Sequence, residues 1–203
     1  MNSIAYIDKI YCLHHLPAIE RKQKMLQYFT ALNLNVEFIE DYLPEQVVQH
    51  QGFKNIAEAS LYYKHYHCFR EQVKHNFNNI LILEDDAELT PNFIPFVNKC
   101  MYEFLTMNGD LLMLGGCCNI HPPNIFPNIN VYHQPNFRTR CTHCYVVNLR
   151  CVKYLADHME ENYRTIDFKL NQLIEDGNLK SCYAEPQIHQ DSQKGVYKSL
   201  LLN

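Results

Sequence analysis

No apolar run in this 203-residue chain approaches the ~18 to 20 residues needed to cross a bilayer. The opening Met1-Asn2-Ser3-Ile4-Ala5-Tyr6-Ile7-Asp8 places an acid where a secretory leader requires continuous apolar sequence. The expectation is a cytoplasmic chain with no signal peptide and no transmembrane segment. Surplus positive charge is missing as well, since 18 Lys plus Arg face 22 Asp plus Glu for a net charge of −4. Nucleic acid, which is gripped through clustered cations, is therefore not an expected partner. There is no internal repeat, no linker long enough to separate two domains, and no Trp.

What is present is ordinary soluble composition, 47% apolar and 20% charged, which excludes long disorder and fibrous architecture. A chain of this length buries a sizeable core without staples, so one domain over residues 1–203 is expected. Nine cysteines admit two readings, a secreted disulfide framework or reduced thiols. Lack of a leader favours the second. Cys141-x-x-Cys144 with Cys117-Cys118 offers only half a zinc site, so buried thiols acting as small hydrophobes are expected.

Periodicity gives an alternation of strands and helices. Lys9 to Leu13 reads as a strand, and Pro17 to Leu32 as a helix with Met25, Leu26, Phe29 and Leu32 on one stripe. Val36 to Glu40 alternates like a strand. Asn55-Ile56-Ala57-Glu58 has capping-box form and opens a helix to about Phe77. Asn79 to Leu83 is apolar on both faces, as in the centre of a parallel sheet. Thr90-Pro91 opens a helix to about Met107, and Asp110 to Leu114 is a strand ended by Gly115-Gly116. Cys117 to Arg140, with Pro122, Pro123, Pro127 and Pro135, reads as a substrate-side loop. A strand at Thr142 to Val147, helices at Asn148 to Glu161 and Ile166 to Glu175, and a strand at Lys180 to Ala184 complete the chain. The expected fold class is α/β, a three-layer α/β/α sandwich around a mostly parallel central sheet.

Glu84-Asp85-Asp86 directly follows the apolar strand, at the carboxyl end where open α/β sheets bind ligands. If the backbone stays extended, Glu84 and Asp86 project to one side and Asp85 to the other. Two hard oxygen donors there suit Mg²⁺ or Mn²⁺ sharing phosphate oxygens. The competing reading is a solvated turn whose acids favour the dipole of the next helix. His65, His67, His143 and the His14-His15 pair form no ligand pattern.

Several strings occur in the order found in glycosyltransferase family 25, the lipopolysaccharide and collagen galactosyltransferase group. Ile10-Tyr11-Cys12-Leu13 with Pro17, Glu20-Arg21-Lys22 and Met25 resembles that family's opening strand and arginine-bearing helix. Glu58-Ala59-Ser60-Leu61 with Lys64-His65 resembles its next helix start, and Leu81-Ile82-Leu83-Glu84-Asp85-Asp86-Ala87 its Asp-x-Asp-like acidic motif. Asp110 to Gly115, Thr142 to Val147 and Ile166-Asp167 resemble its later landmarks, whereas His14-His15 stands where the family has Asn-Leu.

The resemblance implies a GT-A, Rossmann-like fold with a nucleotide-sugar half (1–116) and an acceptor half with a C-terminal tail (117–203). It implies an inverting, Mn²⁺- or Mg²⁺-dependent hexosyltransferase that moves galactose or glucose from a UDP-sugar donor. The acceptor is a hydroxyl on a glycan, lipid-linked sugar or protein. Asp86 and His189 are the implied metal ligands, and Leu13, Arg21, Lys64, Glu84 and Asp85 the nucleotide-sugar contacts. Asp167 is the implied general base, and Lys194 and Lys198 are tail cations able to approach the diphosphate. The alternative is a catalytically inactive GT-A-like protein that binds a nucleotide or a partner. Receiver domains and haloacid-type phosphatases are disfavoured, because no Asp-x-Asp-Gly-Thr string and no receiver lysine arrangement occur.

Overall fold

A computed structural model describes residues 4–42, 47, 52–116, 124–133 and 138–190. Lys194, Lys198, Cys117-Cys118 and much of the proline-rich loop fall outside the described residues.

Seven strands form one sheet: β1 (Lys9–Leu13), β2 (Glu37–Ile39), β3 (Asn79–Glu84), β4 (Leu111–Gly115), β5 (Val131–His133), β6 (Cys144–Asn148) and β7 (Ser181–Ala184). Five helices accompany them: α1 (Ile19–Ala31), α2 (Ile56–His75), α3 (Phe93–Thr106), α4 (Leu149–His158) and α5 (Ile166–Asp176). The strand order is β2-β1-β3-β6-β4-β7-β5. β1, β2, β3, β4 and β7 share one direction, while β6 and β5 run against them. The sheet is mostly parallel by direction, as expected, yet β6 lies antiparallel between β3 and β4. That insertion carries the start of β6, rather than its end, to the edge where β1 and β3 finish.

Alternation along β3 explains the three layers. Leu81 and Leu83 pack with Met25, Phe29, Phe93 and Val97 of α1 and α3, whereas Ile80 and Ile82 pack with Phe69, Val152 and Leu170 of α2, α4 and α5. Each face buries its own apolar set, so truncating a residue such as Ile82 to Ala costs ~2–5 kcal/mol. Both halves of the chain contribute strands to this sheet.

Local chemistry sets the helix ends. Asn55 caps α2 by accepting the Glu58 N–H at 2.9 Å, and the Glu58 carboxylate accepts the Lys54 N–H at 2.8 Å. Left-handed Asn76 closes the same helix. α3 begins at Phe93 rather than at Thr90-Pro91, because the Thr90 carbonyl closes a turn on the Phe93 N–H before the helix starts. β5 was not expected from the sequence and pairs antiparallel with β7 at the sheet edge.

None of the described cysteines forms a disulfide, and Cys141 alone among them is not buried. Burial holds the Cys12, Cys68, Cys144 and Cys151 thiols well above their ordinary value, so they pack as neutral hydrophobes. No helix among the described residues is long and apolar enough to cross a membrane.

Candidate active site

Strand register assembles the site. Leu13 lies opposite both Glu84 and Ile39, so the segments leaving β1, β2 and β3 emerge side by side. His14-His15, Asp41 and Asp85-Asp86 therefore meet at one end of the sheet. Antiparallel β6 brings Thr142-His143 to the same end, where the His143 carbonyl accepts the Glu84 N–H at 2.9 Å.

The backbone does not stay extended past Glu84. It turns, with the Ala87 N–H on the Glu84 carbonyl at 3.1 Å, and this corrects the expected alternation of the three acids. Asp85 and Asp86 consequently share one partner, the Arg21 guanidinium of α1, at 3.0 and 3.2 Å. Asp85 also accepts the His14 ring N–H at 2.8 Å and the His15 backbone N–H at 3.0 Å. Burial works against its charge, but these donors hold Asp85 below the ordinary carboxylate value. Asp86 goes the other way. Burial, and then the negative charge of Glu84, push it up to about 7 despite Gln190 and Arg21.

Beside this pair, Asp41 binds Lys64 Nζ at 2.7 Å, the Leu16 N–H at 2.9 Å, the Ser60 hydroxyl at 3.2 Å and the His15 ring. Burial opposes its charge as well, and Lys64 overcomes it to leave Asp41 below its ordinary value. Lys64 Nζ also donates to the His14 carbonyl at 2.9 Å. Glu84 accepts the Thr142 hydroxyl at 2.6 Å and has His65 Nε2 at 3.8 Å. Burial lowers His65, whose other ring nitrogen meets the Tyr145 hydroxyl at 2.7 Å.

The segment before residue 191 closes the site. The Ile188 N–H donates to the Leu114 carbonyl at 2.8 Å, and the Glu88 N–H to the His189 carbonyl at 2.9 Å. Gly115 permits this approach, since a Cβ there would lie 2.2 Å from His143 Nε2 and 2.7 Å from the Ile188 oxygen. Gln190 then reaches both Asp86 oxygens through Nε2, each at 3.0 Å.

Leu13, Arg21, Lys64, Glu84, Asp85 and Asp86 all line one cavity of about 80 Å³, with His15, Asp41, Ala57, Leu61 and Gln190. His189 and Asp167 do not line it. His189 has an exposed side chain next to Gln190, and it is Gln190 that touches Asp86. Asp167 stands half-buried in the first turn of α5. Four residues on, Asn171 is bonded to Thr139, which lies three residues before the Thr142 that reaches Glu84. Two of the histidines that form no ligand pattern in the sequence lie at the centre, since His14 binds Asp85 and His15 binds Asp41.

No group of three or more His, Cys, Asp or Glu among the described residues is placed to hold a metal ion. Asp85 and Asp86 both have their two oxygens hydrogen-bonded, Asp86 through the neutral Gln190 amide and the Arg21 that it shares with Asp85. A cation on Asp86 would therefore displace Gln190, whereas Glu84 accepts one hydrogen bond, from Thr142. This set does not fit a cation that needs a protein cage. It does fit a hard cation that takes most of its ligands from phosphate and water.

These features, an α/β sandwich with acids and cations gathered at the carboxyl ends of its strands, place the site in the ligand crevice of an open α/β sheet. A family profile described as glycosyltransferase family 25 (LPS biosynthesis protein) matches residues 16–170, well over half of the chain. The chain belongs to that family and is a glycosyltransferase. No match was found among curated proteins. Among solved structures it is similar to a glycosyltransferase involved in glycosylation of the major capsid of PBCV-1, at 14% identity over 83% of this chain and 76% of that one, with a TM-score of 0.46. It is also similar to a Bacillus anthracis protein assigned as a glucose-1-phosphate thymidylyltransferase (10% identity, 93% of each chain, TM-score 0.47). The apo form of a UDP-glucose pyrophosphorylase follows at 7% identity, 90% of this chain and 74% of that one, with a TM-score of 0.42.

Proposed function

We propose that the chain transfers a hexose, galactose or glucose, from a UDP-sugar to an acceptor hydroxyl with inversion, and that it needs Mn²⁺ or Mg²⁺ to do so. The observation that carries this reading is the charge balance of the cavity. Asp41, Glu84, Asp85 and Asp86 line it, and among the described residues Arg21 and Lys64 are the fixed cations that face them. A diphosphate entering alone meets net repulsion from these acids, whereas a diphosphate accompanied by a divalent cation does not.

Asp86 and Glu84 are the residues that would hold the cation, with His189 close enough in sequence to Gln190 to swing in as a further ligand. The cation, when bound, neutralises the charge that develops on the departing nucleoside diphosphate. Arg21 and Lys64 add fixed positive charge for the same phosphates, and Asp85, pinned by His14 and Arg21, holds Arg21 in place. Asp167 takes the proton of the attacking hydroxyl as the general base that a single displacement requires.

Calorimetric titration of UDP-sugars with and without Mn²⁺ tests the reading. Heat that appears only when nucleotide and metal are both present is the expected result. Absence of UDP-dependent heat in the presence of Mn²⁺ would end it.

A further inference from the structure

A second cavity, of about 500 Å³, shares no lining residue with the acid-walled one and has the size of a small-ligand site. Its charge is of the opposite kind. Arg138, Arg140 and Arg164, half of the chain's six arginines, face one carboxylate among the described residues, Glu175, which pairs with Arg138 at 2.9 Å.

The cavity rests on fixed backbone. Fully buried Thr139 donates its N–H to Asn171 Oδ1 at 2.8 Å, and its carbonyl accepts Asn171 Nδ2 at 2.9 Å. Arg138 and Arg140 thus depart from either side of a residue clamped to α5. The Arg140 guanidinium lies over the Phe168 ring at 4.5 Å, and Phe168 is 42% exposed. Gln172 Oε1 is buried and has no hydrogen-bond partner among the described residues.

Each feature selects one part of a ligand. Guanidinium groups match an oxyanion, and the part of the Phe168 ring that Arg140 leaves exposed matches the C–H face of a pyranose ring. We propose that this cavity binds a sugar carrying an oxyanion, phosphate or carboxylate, and that it serves the acceptor side of the reaction. The second part rests on the donor-site reading above, through the segment 139–142 that joins Asn171 to Glu84.

The test titrates glucose 6-phosphate, glucuronate and neutral glucose into the full chain at low salt, with UDP binding measured on the same preparation. At least one anionic sugar binds about tenfold or more tightly than glucose, and which one does so identifies the group. Arg140→Gln combined with Arg164→Gln removes that advantage while leaving UDP binding and thermal unfolding unchanged. Phe168→Ala, which keeps all three charges, weakens the anionic sugar several-fold. Equal affinity for glucose and both anionic sugars, or undiminished affinity in the double variant, overturns the proposal. Inorganic phosphate binding as tightly as glucose 6-phosphate overturns its sugar component. In the parent chain, absence of anionic-sugar binding with UDP binding present refutes this inference alone, and anionic-sugar binding with no UDP binding refutes the donor-site reading.

Discussion

Two buried acids at opposite ends of the sheet show what separates a structural carboxylate from one in a site. Asp110, just before β4, is 1% exposed and wholly matched: Arg150 reaches it at 2.8 and 2.6 Å, and the Lys180 N–H at 2.8 Å. It ties β4, β6 and β7 together and lines neither of the cavities described above. Asp86 is as deeply buried, at 4%, but it shares its arginine with Asp85 and has Glu84 as a further acidic neighbour. The first site has its charge closed and the second has acid to spare. An unbalanced carboxylate is costly to keep unless a ligand completes it, so the imbalance points to the end of the sheet where the chemistry lies.

Substitutions can pull this contrast apart. The largest effect is expected for Asp86→Ala, which should lower metal-dependent turnover by about 10²–10³, the scale of losing one transition-state charge partner. Its urea midpoint should be equal to or above that of the parent, because a carboxyl raised by burial is removed. Asp110→Ala should do the opposite, lowering stability by about 2 kcal/mol in urea titrations through unpaired backbone and amide donors, with turnover per folded molecule unchanged. If both variants lost activity and stability together, the distinction would collapse.

The smallest effect concerns acid. Asp41 is held below its ordinary value, so its contribution to stability is complete above the unfolded value of ~3.9 and is lost as pH falls through the lower folded value. Asp41→Asn should therefore flatten the dependence of the urea midpoint on pH below about 4. An unchanged slope in that window would remove the Lys64 pairing from the account.

Much of this was legible in the chain. A strand apolar on both faces announced β3 in the interior of the sheet, and three acids directly behind it marked the carboxyl end. The capping box at Asn55 and the arginine-bearing first helix were equally readable, because each depends on neighbours within a turn. The direction of β6 was not readable, since periodicity is the same for parallel and antiparallel strands and only the topology decides. β5 is three residues long, too short for an alternation, and sits among prolines. His14 and Gln190 were missed for a common reason, as their partners lie 71 and 104 residues away. Chemistry that becomes visible only after folding leaves no local pattern, and the one available signal was a His pair where the family has Asn-Leu.

The central claim, that the acid-rich cavity receives a diphosphate together with a divalent cation, is tested most directly by a crystal structure with UDP and Mn²⁺. The account predicts the cation on Asp86, with the diphosphate beside Arg21 and Lys64. A nucleotide bound elsewhere, or a cation touching none of Glu84, Asp85 and Asp86, would contradict it.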